Sequence, residues 1–403
     1  MSAMPRISPR VSGIRPSPAS ILRRRARELR AAGRDIIELS SGNLDFPTPD
    51  HVIAAAHAAA LRGETLYTDV DGTPELKQAV RDALLRDHHL TYAEGEIVIC
   101  NGSTQALFNA LLATLSAGEE VIVPAPYWAP YLDQTRLAGG TPVIVPCPQN
   151  NGFKLRPDDL QAAITPRSRW LIINNPINPS GAIYSPEELS AIASVLLRHP
   201  DIWVLADGLY EHIAFNGYCA PTLAEIEPRL KPRTLTISGV AKAYAMMGWR
   251  IGYAAGPIEL IREMTKIQSQ TTSCASSISQ AAAVAALNGP QDLLRERVAV
   301  LRAKRDLFAE ILNGCAGLSC EPPEGTFYLL VACAAVIGKH SPDGRKIQTD
   351  DDFTTYLLEH ADVAVFPGED FGLSPYFRVS FANPQSTIEE AGRRLRRACE
   401  ALQ

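Results

Sequence analysis

From residue 96 onward, short apolar runs rich in β-branched residues alternate with stretches of helical periodicity. The order is "EIVIC", "STQALFNALLATLSAG", "EEVIVPAP", "TPVIVP", "RWLIINNP", "SPEELSAIASVLLRH", "DIWVLAD", "TLTISGV" and "RIGYAAG". Strands that are apolar without alternation are buried on both faces, and their regular exchange with helices predicts βαβ units around a mostly parallel sheet. After about residue 290 the pattern changes to a long charged helix, "QDLLRERVAVLRAKRDLFAEIL", which reads as a connector. Beyond it, "GTFYLLVACAAV", "DDFTTYLLEHA", "VAVFPG", "YFRVSFA" and "STIEEAGRRLRRACEAL" mix strands and helices, as a smaller α+β domain does. The predicted fold is therefore α/β, with a large domain over 47–290 and a small one built from 1–46 plus 291–403.

Composition narrows the function classes. The chain has 403 residues, 46% hydrophobic and 21% charged, which is too long for one small core. A formal net charge of -5 supplies no overall basic field for a polyanion, so no nucleic-acid partner is expected. Eight cysteines are scattered without a C-x-x-C, and no histidine stands beside them at metal-ligand spacing. They read as free thiols of a reducing compartment, and no metal is expected. No apolar run is long enough to span a bilayer, so no membrane partner is expected either. The Arg- and Ser-containing start has some transit-peptide character. However, "SPASILRRRARELRAAGRDIIEL" continues as an amphipathic helix and a strand, which favours folded mature protein and a cytoplasmic location.

Four predicted strand ends carry polar residues that a structural strand end does not require, and ligands of open α/β sheets bind at the carboxyl ends of strands. "VICNGSTQALFNALL" runs into a helix start at Ser103 and Thr104, where unpaired amides favour an anion. "IINNPINPSGAIY" brackets Asn178 with prolines, and "WVLADGLYEHI" ends an apolar strand on Asp207, with Tyr210 three residues on. "SGVAKAYAMMGWRIGYA" places Lys242 among small and apolar residues and returns with Arg250. Each alone also fits a cap, a turn or a satisfied core group. Together, an amine, a carboxylate and a phosphate grip are the groups a pyridoxal 5'-phosphate enzyme needs.

The lysine stretch resembles that of fold type I aminotransferases, in particular the bacterial aspartate-aminotransferase-like subgroup. "LYTDVDGTPELKQAV", "PAPYWAPY", "NNPINPSG", "ADGLYEHI", "EGTFYLL" and "FRVSFA" agree with it in order. The resemblance implies roles. Lys242 would form the Schiff base and shuttle a proton, and Asp207 would keep the pyridine nitrogen protonated. Tyr210 and Asn178 would donate to the phenolic oxygen, while Trp128 would stack on the ring. Ser103, Thr104, Ser238 and Arg250 would bind phosphate, joined by Tyr67 reaching from the neighbouring subunit of a homodimer. Arg378 would hold the substrate α-carboxylate with Gly42 and Asn178, and Arg15 would meet a second carboxylate. The implied reaction moves an amino group from an α-amino acid to a 2-oxo acid by a ping-pong route. A lyase, eliminating enzyme or oxidase with the same cofactor is the alternative.

The chain departs from the family pattern at Asn43 and Leu44 in "GNLDF", Gly208, Ala241, Met247 and Cys274, and at Ser103-Thr104, where aspartate-specific members tend to carry a lysine.

Overall fold

The structure, a computed structural model, describes residues 7–14, 18–217 and 219–403. Its strands are β1 (Ile37–Glu38), β2 (Ile97–Cys100), β3 (Glu120–Ala125), β4 (Thr141–Pro146), β5 (Ser168–Asn174), β6 (Trp203–Asp207), β7 (Thr234–Gly239), β8 (Gly252–Ala255), β9 (Tyr328–Ala332), β10 (Val363–Ala364), β11 (Phe366–Pro367) and β12 (Tyr376–Ser380). Seven of them form one sheet in the order β2-β8-β7-β6-β5-β3-β4. The pairs from β4 through β7 are parallel, while β8 is antiparallel to both β7 and β2, so only β8 runs against the rest. The central strands β6, β7 and β8 and the edge strand β2 are buried almost throughout, as strands covered by helices on both faces must be. The opposite edge strand, β4, is the exception, with half of its residues exposed.

Register decides what meets at the sheet's carboxyl edge. Asn174 pairs with Asp207, Asp207 with Ile237, and Gly239 with Gly252, which also pairs with Cys100. The ends of β2, β5, β6 and β7 and the start of β8 therefore lie side by side.

The C-terminal part holds an antiparallel sheet, β11-β12-β9, and the parallel pair β1-β10. The predicted run "VAVFPG" is thus two strands: Val363 pairs with Ile37, and Phe366 with Arg378. Through β1 the N-terminal segment is tied to the C-terminal part, because Ile37 and Leu39 share an apolar core with β9, β12 and the helix Gln385–Glu400. The long helix Asp292–Asn313 contributes Leu294 to the core under β2 and β8, and Leu301, Phe308 and Leu312 to that second core. Among the described residues no helix is long and apolar enough to cross a membrane.

Candidate active site

A cavity of about 250 Å³ opens where the sheet's carboxyl edge faces β12, and its walls include Ser103, Thr104, Trp128, Asn178, Asp207, Tyr210, Lys242, Arg250, Arg378 and Gly42. Asp207 is the last residue of β6 and is buried. The Tyr131 hydroxyl donates to its Oδ2 at 2.5 Å, and the Leu209 amide to its Oδ1 at 3.1 Å. Burial pushes the carboxyl above its ordinary range, and these two donors pull against that shift. A carboxylate desolvated to this degree is held for a cation or a protonated nitrogen.

Lys242 follows β7 by three residues, and its Nζ donates to the Gly42 carbonyl at 2.9 Å. A side chain at Gly42 would have no room: its Cβ would stand 2.9 Å from the Tyr328 hydroxyl and 3.1 Å from Lys242 Nζ. Burial lowers the lysine's pKa, and the positive Arg378 and Arg250 lower it further against the opposing Tyr328. The amine is thus biased toward the neutral, nucleophilic form.

The anion end is made by close backbone approach. Gly102 has φ +84°, and a Cβ there would lie 2.4 Å from Arg250 Nη2. A Cβ on Gly252 would lie 2.1 Å from the Ser103 amide, so β8 runs directly past the first turn of the helix Ser103–Thr114. Arg250 is itself left-handed, at φ 56°. Its guanidinium and the free amides at the helix start line one end of the cavity, where the helix dipole also favours a phosphate. The cap is Gly102, not Ser103, which is the first helical residue. Gln105, in the same turn, accepts from the Asn101 amide and donates to Thr272.

At the other end, buried Arg378 on β12 donates from Nη1 to Asn178 Oδ1 at 2.8 Å and from Nη2 to the Ser40 carbonyl at 3.0 Å. Its Nε is buried with no hydrogen-bond partner. The guanidinium lies 4.0 Å from the Tyr328 ring centre and 5.1 Å from that of Phe366. A desolvated guanidinium with a donor left over fits a carboxylate ligand. Asn178 is itself placed by Asn174, whose Oδ1 accepts from the Asn178 amide at 2.7 Å while its Nδ2 donates to the Asp207 carbonyl. The Tyr210 hydroxyl lies 3.2 Å from that of Tyr328, and Trp128 packs edge-on to Tyr131 with centroids 5.4 Å apart.

An amine, a hydrogen-bonded carboxylate, an anion cradle and a spare guanidinium thus line one cavity. The aminotransferase class I and II family matches residues 34–395. The chain belongs to that family. It is 51% identical to the aspartate aminotransferase of Rhizobium meliloti (strain 1021), over 98% of this chain and 96% of that one. To the aspartate/prephenate aminotransferase of Cereibacter sphaeroides (strain ATCC 17029 / ATH 2.4.9) it is 48% identical, over 98% and 99%. The crystal structure of the Rhizobium meliloti aspartate aminotransferase superposes with a TM-score of 0.96 at 50% identity, over 99% and 100% of the two chains. The Thermus thermophilus aspartate aminotransferase with maleate superposes with a TM-score of 0.90 at 37% identity, over 98% and 100%. The α/β fold with a mostly parallel sheet is that of fold type I aminotransferases, and the chain is a transaminase. The lyase, elimination and oxidase alternative is not favoured.

One residue expected at this aminotransferase's site is placed elsewhere. The Ser238 hydroxyl points to the other side of β7, donating to Glu211 Oε1 at 2.6 Å and not lining the cavity, because alternate residues of a strand face opposite ways. Tyr67 is 90% exposed on this chain and does not reach its own cavity. Arg15 lies outside the described residues. The Gly42 carbonyl holds Lys242, while Ser40 supplies the carbonyl that holds Arg378. Tyr131, Tyr328, Asn174 and Ser40 were not singled out from sequence. Tyr131 and Tyr328 stand inside the quoted "PAPYWAPY" and "EGTFYLL", but only the fold brings the Tyr131 hydroxyl to Asp207 and the Tyr328 hydroxyl to Tyr210.

Proposed function

We propose that this transaminase carries pyridoxal 5'-phosphate on Lys242 and takes its amino group from aspartate, passing it to a 2-oxo acid by a ping-pong route. The observation that carries the reading is the burial of the Lys242 amine in one cavity with Asp207, Arg250 and Arg378. Residues fit the cofactor at each of its polar ends. Asp207 suits the ring nitrogen, Tyr210 and Asn178 the phenolic oxygen, and Arg250 with the amides at Ser103 and Thr104 the phosphate; Trp128 supplies an aromatic wall. When bound, the cofactor supplies a carbonyl carbon for amine exchange and a protonated ring that accepts the electron pair released at the substrate Cα.

The protein's part follows from the geometry. Arg378 binds the α-carboxylate with its spare Nε–H and fixes which face of the amino acid meets Lys242. Lys242 Nζ, biased toward its neutral form by burial and two nearby cations, takes the Cα proton and returns it elsewhere. Asp207 holds a proton at the ring nitrogen, kept ionised for this by Tyr131 and the Leu209 amide.

The aspartate assignment is supported by the names of relatives at 48–51% identity. Homodimerisation is supported by Leu66 and Tyr67, which a single chain leaves 80% and 90% exposed. A cytoplasmic location is supported by eight cysteines that are all free. The separate sheets and cores support division into 47–290 and 1–46 plus 291–403.

Mixing the enzyme with aspartate and no acceptor tests the reading. We expect one equivalent of oxaloacetate per chain with loss of the aldehyde-form absorbance, none with Lys242→Ala, and sustained turnover only once a 2-oxo acid such as prephenate is added. Continuous release of ammonia or pyruvate without an acceptor would refute it.

A further inference from the structure

Behind β6, outside the cavity, three distant segments bring donors of three kinds together. His88 ends the helix Pro74–His88, Glu211 lies in the turn after β6, and Cys219 lies in the loop beyond. His88 Nε2 is 2.9 Å from Glu211 Oε2 and 3.6 Å from Cys219 Sγ, and these three atoms all lie within 4.8 Å of one another. One imidazole nitrogen thus faces both a carboxylate and a thiol, though a single N–H can serve only one well.

We propose that His88, Glu211 and Cys219 form a binding site for a divalent cation of the zinc class. Zinc takes nitrogen and oxygen at about 2.0 Å and sulfur at about 2.3 Å, which sets tetrahedral ligand atoms about 3.3–3.5 Å apart. The observed separations from His88 Nε2, 2.9 and 3.6 Å, need only small adjustment. The outer contacts are those a metal site uses. Glu225 Oε2 lies 3.3 Å from His88 Nδ1, the carboxylate–histidine pairing that orients a metal-bound ring, and Glu211 Oε1 accepts from the Ser238 hydroxyl. Beside His88 and Glu211 is a cavity of about 10 Å³, room for one water as fourth ligand, and Thr222, whose buried Oγ1 has no hydrogen-bond partner, lines it.

Charge balances with or without the ion. Imidazolium, carboxylate and thiol sum to zero, as do a divalent cation, neutral imidazole, carboxylate and thiolate. Binding therefore forms metal–nitrogen, metal–oxygen and metal–sulfur bonds and releases two protons to solvent, one from His88 and one from Cys219, with no redox change. Burial pushes the Cys219 thiol up to about 12. Burial also disfavours protonated His88, but its contacts with Cys219, Glu211 and Glu225 outweigh that and raise the imidazole above its ordinary value. Spacing along the chain hides the site, since His88 is 123 residues from Glu211 and 131 from Cys219.

The test is calorimetric titration of the holoenzyme with Zn²⁺ in buffers of different ionisation enthalpy, at several pH values. We expect one ion per chain, two protons released, and affinity rising about 100-fold per pH unit below the ligands' pKa values. Cys219→Ser changes a half-buried position outside the active site, and its retained half-reaction with aspartate certifies the fold. We expect it to weaken binding at least about 100-fold and release one proton, with Glu225→Gln weakening binding about 10-fold. The Co²⁺ form should show thiolate-to-metal charge-transfer absorption that Cys219→Ser lacks. Zinc binding equal in wild type and Cys219→Ser, or no binding at all, overturns the proposal.

Discussion

Tyr131→Phe isolates one hydrogen bond at the centre of the site. The phenol is fully buried, its hydroxyl lies 2.5 Å from Asp207 Oδ2, and the other donor to that carboxylate, the Leu209 amide, reaches only Oδ1. Phenylalanine keeps the ring and its edge contact with Trp128. A hydrogen bond to a charged group contributes about 1.5–3 kcal/mol. If that stabilisation is expressed where Asp207 must be ionised, kcat/KM for the amino acid falls about 10–150-fold. Burial already raises the Asp207 carboxyl and the Tyr131 bond is the strongest influence lowering it, so its removal lets the carboxyl rise further. The acid limb of the kcat/KM profile then moves to higher pH. In the apo-enzyme the same sign appears in stability: a carboxyl raised in the fold costs stability as pH climbs from 3.8 through the raised value, and the variant deepens that loss. The assays are stopped-flow absorbance of the aspartate half-reaction across pH and thermal unfolding of the apo-protein. A rate within about twofold of wild type with an unmoved acid limb would show that Tyr131 does not support Asp207.

Three further outcomes are expected. Asn174→Ala removes the acceptor for the Asn178 amide and a donor to the Asp207 carbonyl, at a cost of about 1–3 kcal/mol, so KM for the amino acid rises about tenfold in steady-state assays while the bound-cofactor spectrum persists. Gly102→Ala puts a Cβ 2.4 Å from Arg250 Nη2 at φ +84°; it destabilises the fold by about 1–3 kcal/mol in urea and weakens cofactor retention on dialysis. Lys242→Met stabilises the apo-protein, because burial and two cations disfavour the charged amine. That gain is full below the lysine's lowered folded-state pKa and fades as pH rises toward 10.5, which paired urea melts across pH will follow.

Much of the site was legible because its residues sit at strand ends. Asp207 after "WVLA" and Lys242 after "TISGVA" are polar groups where an apolar strand stops, and the parallel sheet carries those stops to one edge. The misreadings have equally local causes. Ser238 is one residue before the strand's last position, and strand alternation turns it away from the cavity toward Glu211. Ser103 has the chemistry of a cap, but the close approach of Arg250 requires glycine at the capping position, and Gly102 takes it.

The sequence by itself determined the α/β alternation, the connector helix and the identity of the amine, carboxylate and guanidinium that line the cavity, because periodicity and charge placement are local properties of the chain. Tertiary structure decided which neighbours tune them. Tyr131 reaches Asp207 across 76 positions, Asn178 meets Arg378 across 200, and Gly42 meets Lys242 across 200. It also split "VAVFPG" between two sheets and gathered His88, Glu211 and Cys219 behind β6. Such pairings depend on register and packing between segments far apart in the chain, and no local pattern encodes the distance at which two side chains finally meet.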